Sequence, residues 1–99
     1  MSNPSIESLS GDLTVREVPA AWRRLSASLP AVVDLANVDR TDSSALALLL
    51  ECRALAMHRG QEIGFRNPPE TLRIIARLTD VDELLGWTRL DDITREKNV

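Results

Sequence analysis

The stretch Val32–Leu50, with the sequence VVDLANVDRTDSSALALLL, decides the fold of this chain. It overlaps a β-branched apolar run, Ala31–Leu35, whose composition is typical of a buried central strand. Polar residues prevail over Ala36–Thr41, which we interpret as a connection. A helix is predicted over Ser43–Arg59, because neither glycine nor proline interrupts its apolar pattern before a glycine ends it. The chain therefore passes here from a central strand into its most apolar helix.

The residues before this stretch predict one strand and one helix. Ile6 and Leu9 belong to a short apolar segment, which we interpret as an edge strand that ends in a turn at Gly11–Asp12. Apolar residues then recur at spacings of three and four and predict a helix over Pro19–Ser28, with the proline at its first position. These apolar residues are Val15, Val18, Trp22, Leu25 and Leu29.

The residues after the stretch predict a further strand and a further helix. Ile63 and Phe65 alternate with polar residues and glycine, as in a strand with one buried face, and Asn67–Pro69 ends that strand. The next helix begins near its proline and presents one apolar face, which consists of Leu72, Ile75, Ala76 and Thr79. Residues 84–87 predict a last strand or a packed turn, and the charged tail 91–99 predicts a final helical turn or a frayed end.

Strands and helices alternate along the chain, which predicts an α/β fold. We expect a small, mixed but mostly parallel sheet with right-handed crossovers and helices packed on it. The 99 residues suit a single domain over 1–99, with residues 1–10 as a short edge segment, and their 43 % hydrophobic content suffices for a core. A chain of this size leaves little material for a deep, enclosed active site.

Charge and composition argue against a nucleic acid partner and against a membrane-spanning segment. The 12 basic and 15 acidic residues are interleaved and give a net charge of −3, so no basic stripe is available for a phosphate backbone. The longest apolar run, Ala45–Leu50, is far shorter than the roughly 20 residues that cross a bilayer. The first residues lack the basic and apolar regions of a secretory signal, so we expect a cytoplasmic location.

No residue pattern predicts catalysis, a metal or a cofactor. Cys52 and His58 are the only cysteine and histidine, and their helical spacing turns them about 240° apart, so they converge neither on an ion nor as a nucleophile pair. The four glycines are scattered and form no phosphate-binding motif. Acidic residues toward the end of the chain are typical of solvated loops, although a small hydrolase built on them stays an alternative. We therefore predict a binding module that is not an enzyme.

The polar residues Asp39–Ser44 before the apolar helix have two interpretations. Asp and Ser are preferred helix caps, because their side chains accept hydrogen bonds from the free N–H groups of the first turn. The same helix end favours added negative charge, so a phosphate on Ser43, or a partner that contacts its hydroxyl, would also suit it. Residue chemistry alone favours capping and leaves the functional interpretation open.

The stretch Val32–Leu50 resembles the central motif of the STAS domain family, in which a strand ending in Asp-Leu is followed by Asp-Ser-Ser-Gly-Leu at a helix start. The matching residues are Asp34-Leu35 and the segment Asp42–Leu46, with Ala45 in place of the usual glycine. The resemblance implies a STAS-like fold and a function in protein binding. It also implies that Ser43 stands at the phosphoacceptor position of the anti-sigma factor antagonists in this family.

Two branches of the family give two expectations for the partner. The MlaB-like branch binds and supports the ATPase subunit of a phospholipid ABC transporter, and the apolar helix and compact length of this chain resemble that branch more closely. The chain would then act at the inner face of the membrane through its partner. In the other branch, an anti-sigma factor kinase phosphorylates the antagonist, here at Ser43, and is released. The expected partner-binding residues are Asn37, Arg40, Thr41, Asp42, Ser43, Ser44, Asn67 and Pro68.

Overall fold

Residues 5–87 are described by the computed structural model, and they form the predicted α/β fold. The elements, in chain order, are β1 (Ile6–Leu13), α1 (Val18–Ala27), β2 (Val32–Thr41), α2 (Ser43–His58), β3 (Gly64–Arg66) and α3 (Glu70–Leu78). These strands form one sheet in the order β1-β2-β3, and both neighbouring pairs are parallel. α2 contacts both α1 and α3, so the helices pack beside one another. The predicted tail 91–99 lies outside the described residues.

β2 is the central strand, but it is longer than expected. It runs through the segment Ala36–Thr41, so the prediction of a connection there is wrong. Ser8 of β1 pairs with Asp34, whereas Ser10 pairs with Asn37, and a second shift of register follows. Each shift places an extra β2 residue against β1, which breaks the alternation of buried and exposed side chains by which a strand is recognised.

β1 also runs further than predicted, through the segment Gly11–Asp12 that suggests a turn. Gly11 has a φ of +79°, a left-handed conformation that favours glycine, and it lies beside a register shift between β1 and β2. The glycine therefore marks an irregularity within the strand and not its end. Of the segment 1–10, expected as a short edge piece, residues 6–10 form the first part of an edge strand of eight residues.

The core lies between the sheet and the helices. Val33 and Leu35 of β2 and Leu49 of α2 have no exposed surface. α2 contributes buried residues along most of its length, from Ala45 to Ala56. Because a helix that is apolar on several sides needs cover on several sides, the place of α2 between α1 and α3 suits its composition.

The helices begin by different means. α1 starts at Val18 with Pro19 in its first turn, and α3 follows Pro69; neither start has a side-chain cap. α2 starts after Asp42, whose side chain does cap it. Among the described helices, α2 alone thus has a side-chain cap at its start.

Residues 82–86 form a turn and not a strand, which decides between the two alternatives for this segment. Leu85 and Trp87 are buried, and the Trp87 indole N–H donates to the Phe65 carbonyl at 3.0 Å. Within residues 5–87 no helix combines the length and apolar character needed to cross a membrane.

Candidate functional site

The candidate site lies where β2 ends and α2 begins. In the β1–β2 register Leu13 pairs with Thr41, so the loop after β1 and the start of α2 leave the same edge of the sheet. In α/β proteins this edge, at the carboxyl ends of parallel strands, is the usual place for binding sites. The pairing brings Val15 beside Asp42.

Asp42 caps α2 and also bridges it to the loop after β1. Its Oδ1 accepts hydrogen bonds from the Ser44 N–H at 2.9 Å and from the Ser44 hydroxyl, and its Oδ2 accepts one from the Val15 N–H at 3.1 Å. The Ser44 hydroxyl, with smaller contributions from these backbone N–H groups, holds the pKa of Asp42 below its ordinary value. Both carboxylate oxygens are therefore engaged within the protein.

Four hydroxyl groups lie at the corner formed by the end of β2 and the start of α2, and one of them has no partner among the described residues. Thr41 Oγ1 lies 3.2 Å from Thr71 Oγ1 on α3, and Ser44 Oγ donates to Asp42. Ser43 is exposed, and its hydroxyl makes no hydrogen bond within residues 5–87. Ser43 thus presents a donor and an acceptor to solvent at the first position of a capped helix.

The loop between β1 and α1 is fixed by its own hydrogen bonds. Glu17 Oε1 accepts from the Thr14 N–H at 2.9 Å and from the Thr14 hydroxyl at 2.7 Å. The hydroxyl is the main reason that the pKa of Glu17 lies below its ordinary value. The Thr14 carbonyl accepts from the N–H groups of Glu17 and Val18, each at 3.0 Å. These hydrogen bonds hold the loop together, and Val15 within it is 67 % exposed.

Five of the predicted binding residues are consecutive at this corner, from Arg40 to Ser44. The Arg40 guanidinium turns toward β1 and lies 3.5 Å from the Asp12 carboxylate. Asn37 is exposed in the middle of β2, where it pairs with Ser10. Arg40 and Asn37 are thus on the strand side of the corner.

Asn67 and Pro68 are placed differently. Asn67 has a φ of +57°, and its amide Nδ2 donates to Asp34 Oδ1 at 3.1 Å. Because β3 pairs with the first residues of β2, its end is level with Asp34 and not with Thr41. The described contacts join Asn67 to Asp34, and the half-buried Pro68 leads on to α3.

Val15 and Thr71 belong to the corner but are absent from the predicted set. Val15 stands two residues after Leu13, so its place beside Asp42 follows only when the β1–β2 register is known. Thr71 reaches Thr41 through the packing of α3, for which the sequence has no local signal.

The fold agrees with a comparison to family models. Residues 3–86 match the model described as "Mlab, STAS domain". The chain belongs to the STAS domain family. A comparison with curated proteins finds no match. The resemblance of the stretch Val32–Leu50 is thereby confirmed, and the family supports a regulatory or accessory role, since STAS domains are generally non-catalytic.

In this STAS domain, the departure from the family motif at Ala45 lies inside the core. Ala45 has no exposed surface, so its methyl group packs against the interior of the protein. The methyl therefore adds nothing to the surface around Ser43.

Cys52 and Ser43 are not activated as nucleophiles. Cys52 is buried, and burial raises its pKa to about 11, whereas His58 is exposed near the end of α2. No general base contacts Ser43 within residues 5–87, and the oxygens of Asp42 are already engaged. A hydroxyl nucleophile needs an adjacent base, so the arrangement suits Ser43 as a binding contact.

Proposed function

We propose that this STAS domain is a non-catalytic accessory subunit that docks the ATPase subunit of a phospholipid-transporting ABC complex. The Ser43 hydroxyl carries the proposal, because it is exposed, without a partner in residues 5–87, and held at the start of a capped helix. The description of the matching family model supports the choice of partner. The partner would hold the chain at the inner face of the membrane.

The corner suits docking because its shape is already fixed. Asp42 orders the first turn of α2, and the Thr41–Thr71 contact fixes the neighbouring helix. Binding to a preformed surface avoids the entropy cost of ordering a loop. Ser43 then supplies one hydrogen bond at the centre of the contact.

Co-purification of the tagged, full-length chain from its native cell tests the partner. We expect an ABC-transporter ATPase in the complex, and a complex without one would contradict the proposal. A Ser43→Asp variant then tests the centre of the contact. We expect at least about a tenfold loss of bound ATPase, because a carboxylate would be desolvated in the interface.

The Ser43→Asp variant should keep its fold, because a helix N-terminus favours negative charge. Ser28→Asp is the matched control, since Ser28 is exposed at the end of α1, just before β2 begins, and lies apart from the proposed binding residues. Equal yields of ATPase with Ser43→Asp and Ser28→Asp would remove Ser43 from the contact.

The second candidate is an anti-sigma factor antagonist switched by phosphorylation of Ser43. The exposed hydroxyl favours it, since a kinase can reach the oxygen and transfer the terminal phosphoryl group of ATP to it, with ADP leaving. Intact-mass measurement and phosphopeptide mapping after incubation with the co-purified kinase test this candidate. A phosphate on Ser43 supports it, and an unmodified Ser43 rejects it.

A further inference from the structure

We infer that Thr71 of α3 is a positioning residue for the corner at which the partner docks, because its contact with Thr41 holds the end of β2, and with it Ser43, in place. The inference rests on the proposed function, since it concerns how the same site is built. Thr71 lies outside the stretch Val32–Leu50 that resembles the family motif.

The last part of β2, residues 36–41, has a strand on one side only. β3 pairs with Val32–Asp34, whereas β1 follows β2 as far as Thr41. The β1 side is itself irregular, with two shifts of register between Ser8 and Leu13. In a parallel sheet, hydrogen bonds to a neighbouring strand on each side fix the backbone of a central strand. The end of β2 therefore lacks the support of a strand on the β3 side.

Thr71 supplies a contact on that side. Its Oγ1 lies 3.2 Å from Thr41 Oγ1. Among the hydrogen bonds of residues 5–87, this is the one that joins residues 36–41 to any residue after α2. The position of the strand end relative to α3 thus depends on a single pair of hydroxyl groups.

Thr71 can act as a fixed point because the start of its own helix is anchored. The Pro69 carbonyl accepts hydrogen bonds from the N–H groups of Leu72 and Arg73, at 3.0 and 3.1 Å. Leu72 has no exposed surface, and α3 packs against α2. Pro68 and Pro69 restrict the backbone that leads into the helix. The core therefore holds the backbone from which the Thr71 hydroxyl projects.

The corner is then held from two sides. Asp42 accepts from the Val15 N–H at 3.1 Å on the β1 side, and Thr41 contacts Thr71 on the α3 side. Ser43 comes directly after Thr41 and Asp42, and its side chain makes no hydrogen bond of its own within residues 5–87. The orientation of the Ser43 hydroxyl therefore depends on the two contacts that precede it.

Amide hydrogen exchange of the full chain, followed by NMR, tests the positioning role without any partner. The probes are the N–H groups of Val15 and Ser44, which both donate to the Asp42 carboxylate. Thr71→Val removes the hydroxyl and keeps the shape of the side chain, so both probes should exchange about fivefold faster, as for the loss of one ordinary hydrogen bond. Thr41→Val should have the same effect, and the double variant should add nothing to it, because both changes remove one interaction.

Thr71→Ser and Thr79→Val are the controls. Thr71→Ser keeps a hydroxyl at the same place and should exchange as wild type does. Thr79→Val removes a hydroxyl from the other end of α3, where it bonds only to carbonyls of its own helix, so the probes should again exchange as in wild type. Unchanged exchange in Thr71→Val, or equally fast exchange in Thr79→Val, would overturn the inference.

The link to docking is tested by the dissociation constant for the ATPase subunit that co-purifies with the chain. We expect Thr71→Val to raise it about fivefold when Ser43 is present, and less than about twofold in a Ser43→Ala background, because Thr71 acts through Ser43. Equal effects in both backgrounds would show that Thr71 contacts the partner directly. That result, or no effect in either background, would overturn the positioning role.

The outcomes separate this inference from the proposed function. If Ser43→Asp weakens binding but Thr71→Val exchanges and binds as wild type does, the positioning role is wrong and the docking function stands. If no ATPase binds the chain, the proposed function fails, and the exchange rates alone decide whether Thr71 holds the corner.

Discussion

Asp34 and Asp42 make the same local hydrogen bond in two different places along the chain. Each accepts from the backbone N–H two residues later, Asp34 from Ala36 at 3.0 Å and Asp42 from Ser44 at 2.9 Å. Each also ties the β2 region to a neighbouring loop, Asp34 through Asn67 and Asp42 through Val15. Both carboxylates thus bind a nearby backbone N–H and join the β2 region to a neighbouring loop.

What differs is the residue that follows each carboxylate. After Asp34 the strand continues, and Leu35 turns into the core with no exposed surface. After Asp42 a helix begins, and Ser43 points outward at its first position. An Asp that accepts a hydrogen bond from the N–H two residues later therefore does not by itself indicate a functional site. The change from strand to helix exposes the hydroxyl.

The largest expected effect concerns the turn that follows Asp42. Ala45→Gly should lower the free energy of unfolding by about 2 kcal/mol, from lost helix propensity and a lost buried methyl. Ala47→Gly, at an exposed position of the same helix, should lose only about 1 kcal/mol. Urea unfolding measures both, and equal losses would contradict the buried position of Ala45.

Ala45→Gly should leave ATPase binding unchanged at a temperature where the variant is folded, because the methyl faces the core. Weakened binding by the folded variant would show that the departure from the family motif acts at the surface after all.

Removing either carboxylate should lower the stability by less than Ala45→Gly does. Asp42→Ala leaves the first turn of α2 without its cap and should lower the melting temperature by about 4–8 °C. Asp34→Ala leaves no helix end uncapped, and water can reach the freed Ala36 N–H, so its loss should be smaller. Thermal unfolding followed by circular dichroism compares them, and an equal or larger loss at Asp34 would reverse the comparison.

The sequence predicts the part of this fold that rests on local patterns. Uninterrupted apolar spacing placed α2 within one residue of its observed end, because its limits depend on an N-cap and a glycine stop. The long β2 was missed, since its irregular register against β1 hides the alternation of side chains. Periodicity carries no information about such a register.

The residues of the candidate site also fall into two groups, those that local sequence predicts and those that it does not. Thr41, Asp42, Ser43 and Ser44 are consecutive, so a motif is enough to bring them together. Val15, Thr71 and Asn67 have positions that depend on strand pairing and helix packing between distant residues. The first two therefore escaped prediction, and Asn67 was expected near Ser43 but contacts Asp34.

The smallest expected effect is on the dependence of stability on pH. Hydrogen bonds from the Ala36 N–H and the Asn67 amide lower the pKa of Asp34. Hydrogen bonds from the Ser44 hydroxyl and from nearby backbone N–H groups lower the pKa of Asp42. A carboxyl whose pKa is lower in the folded state stabilises the fold above its unfolded pKa of about 3.9, and this stability is lost as the pH falls through the folded pKa.

Asp34→Asn and Asp42→Asn should each make the loss of stability with falling pH less steep, by at most about one bound proton. Urea unfolding from pH 6 to pH 2 measures the slope, with Asp39→Asn as an exposed control. If both variants keep the wild-type slope, neither carboxylate is held by its bonds in solution, and Asp42 loses its role in ordering the helix start.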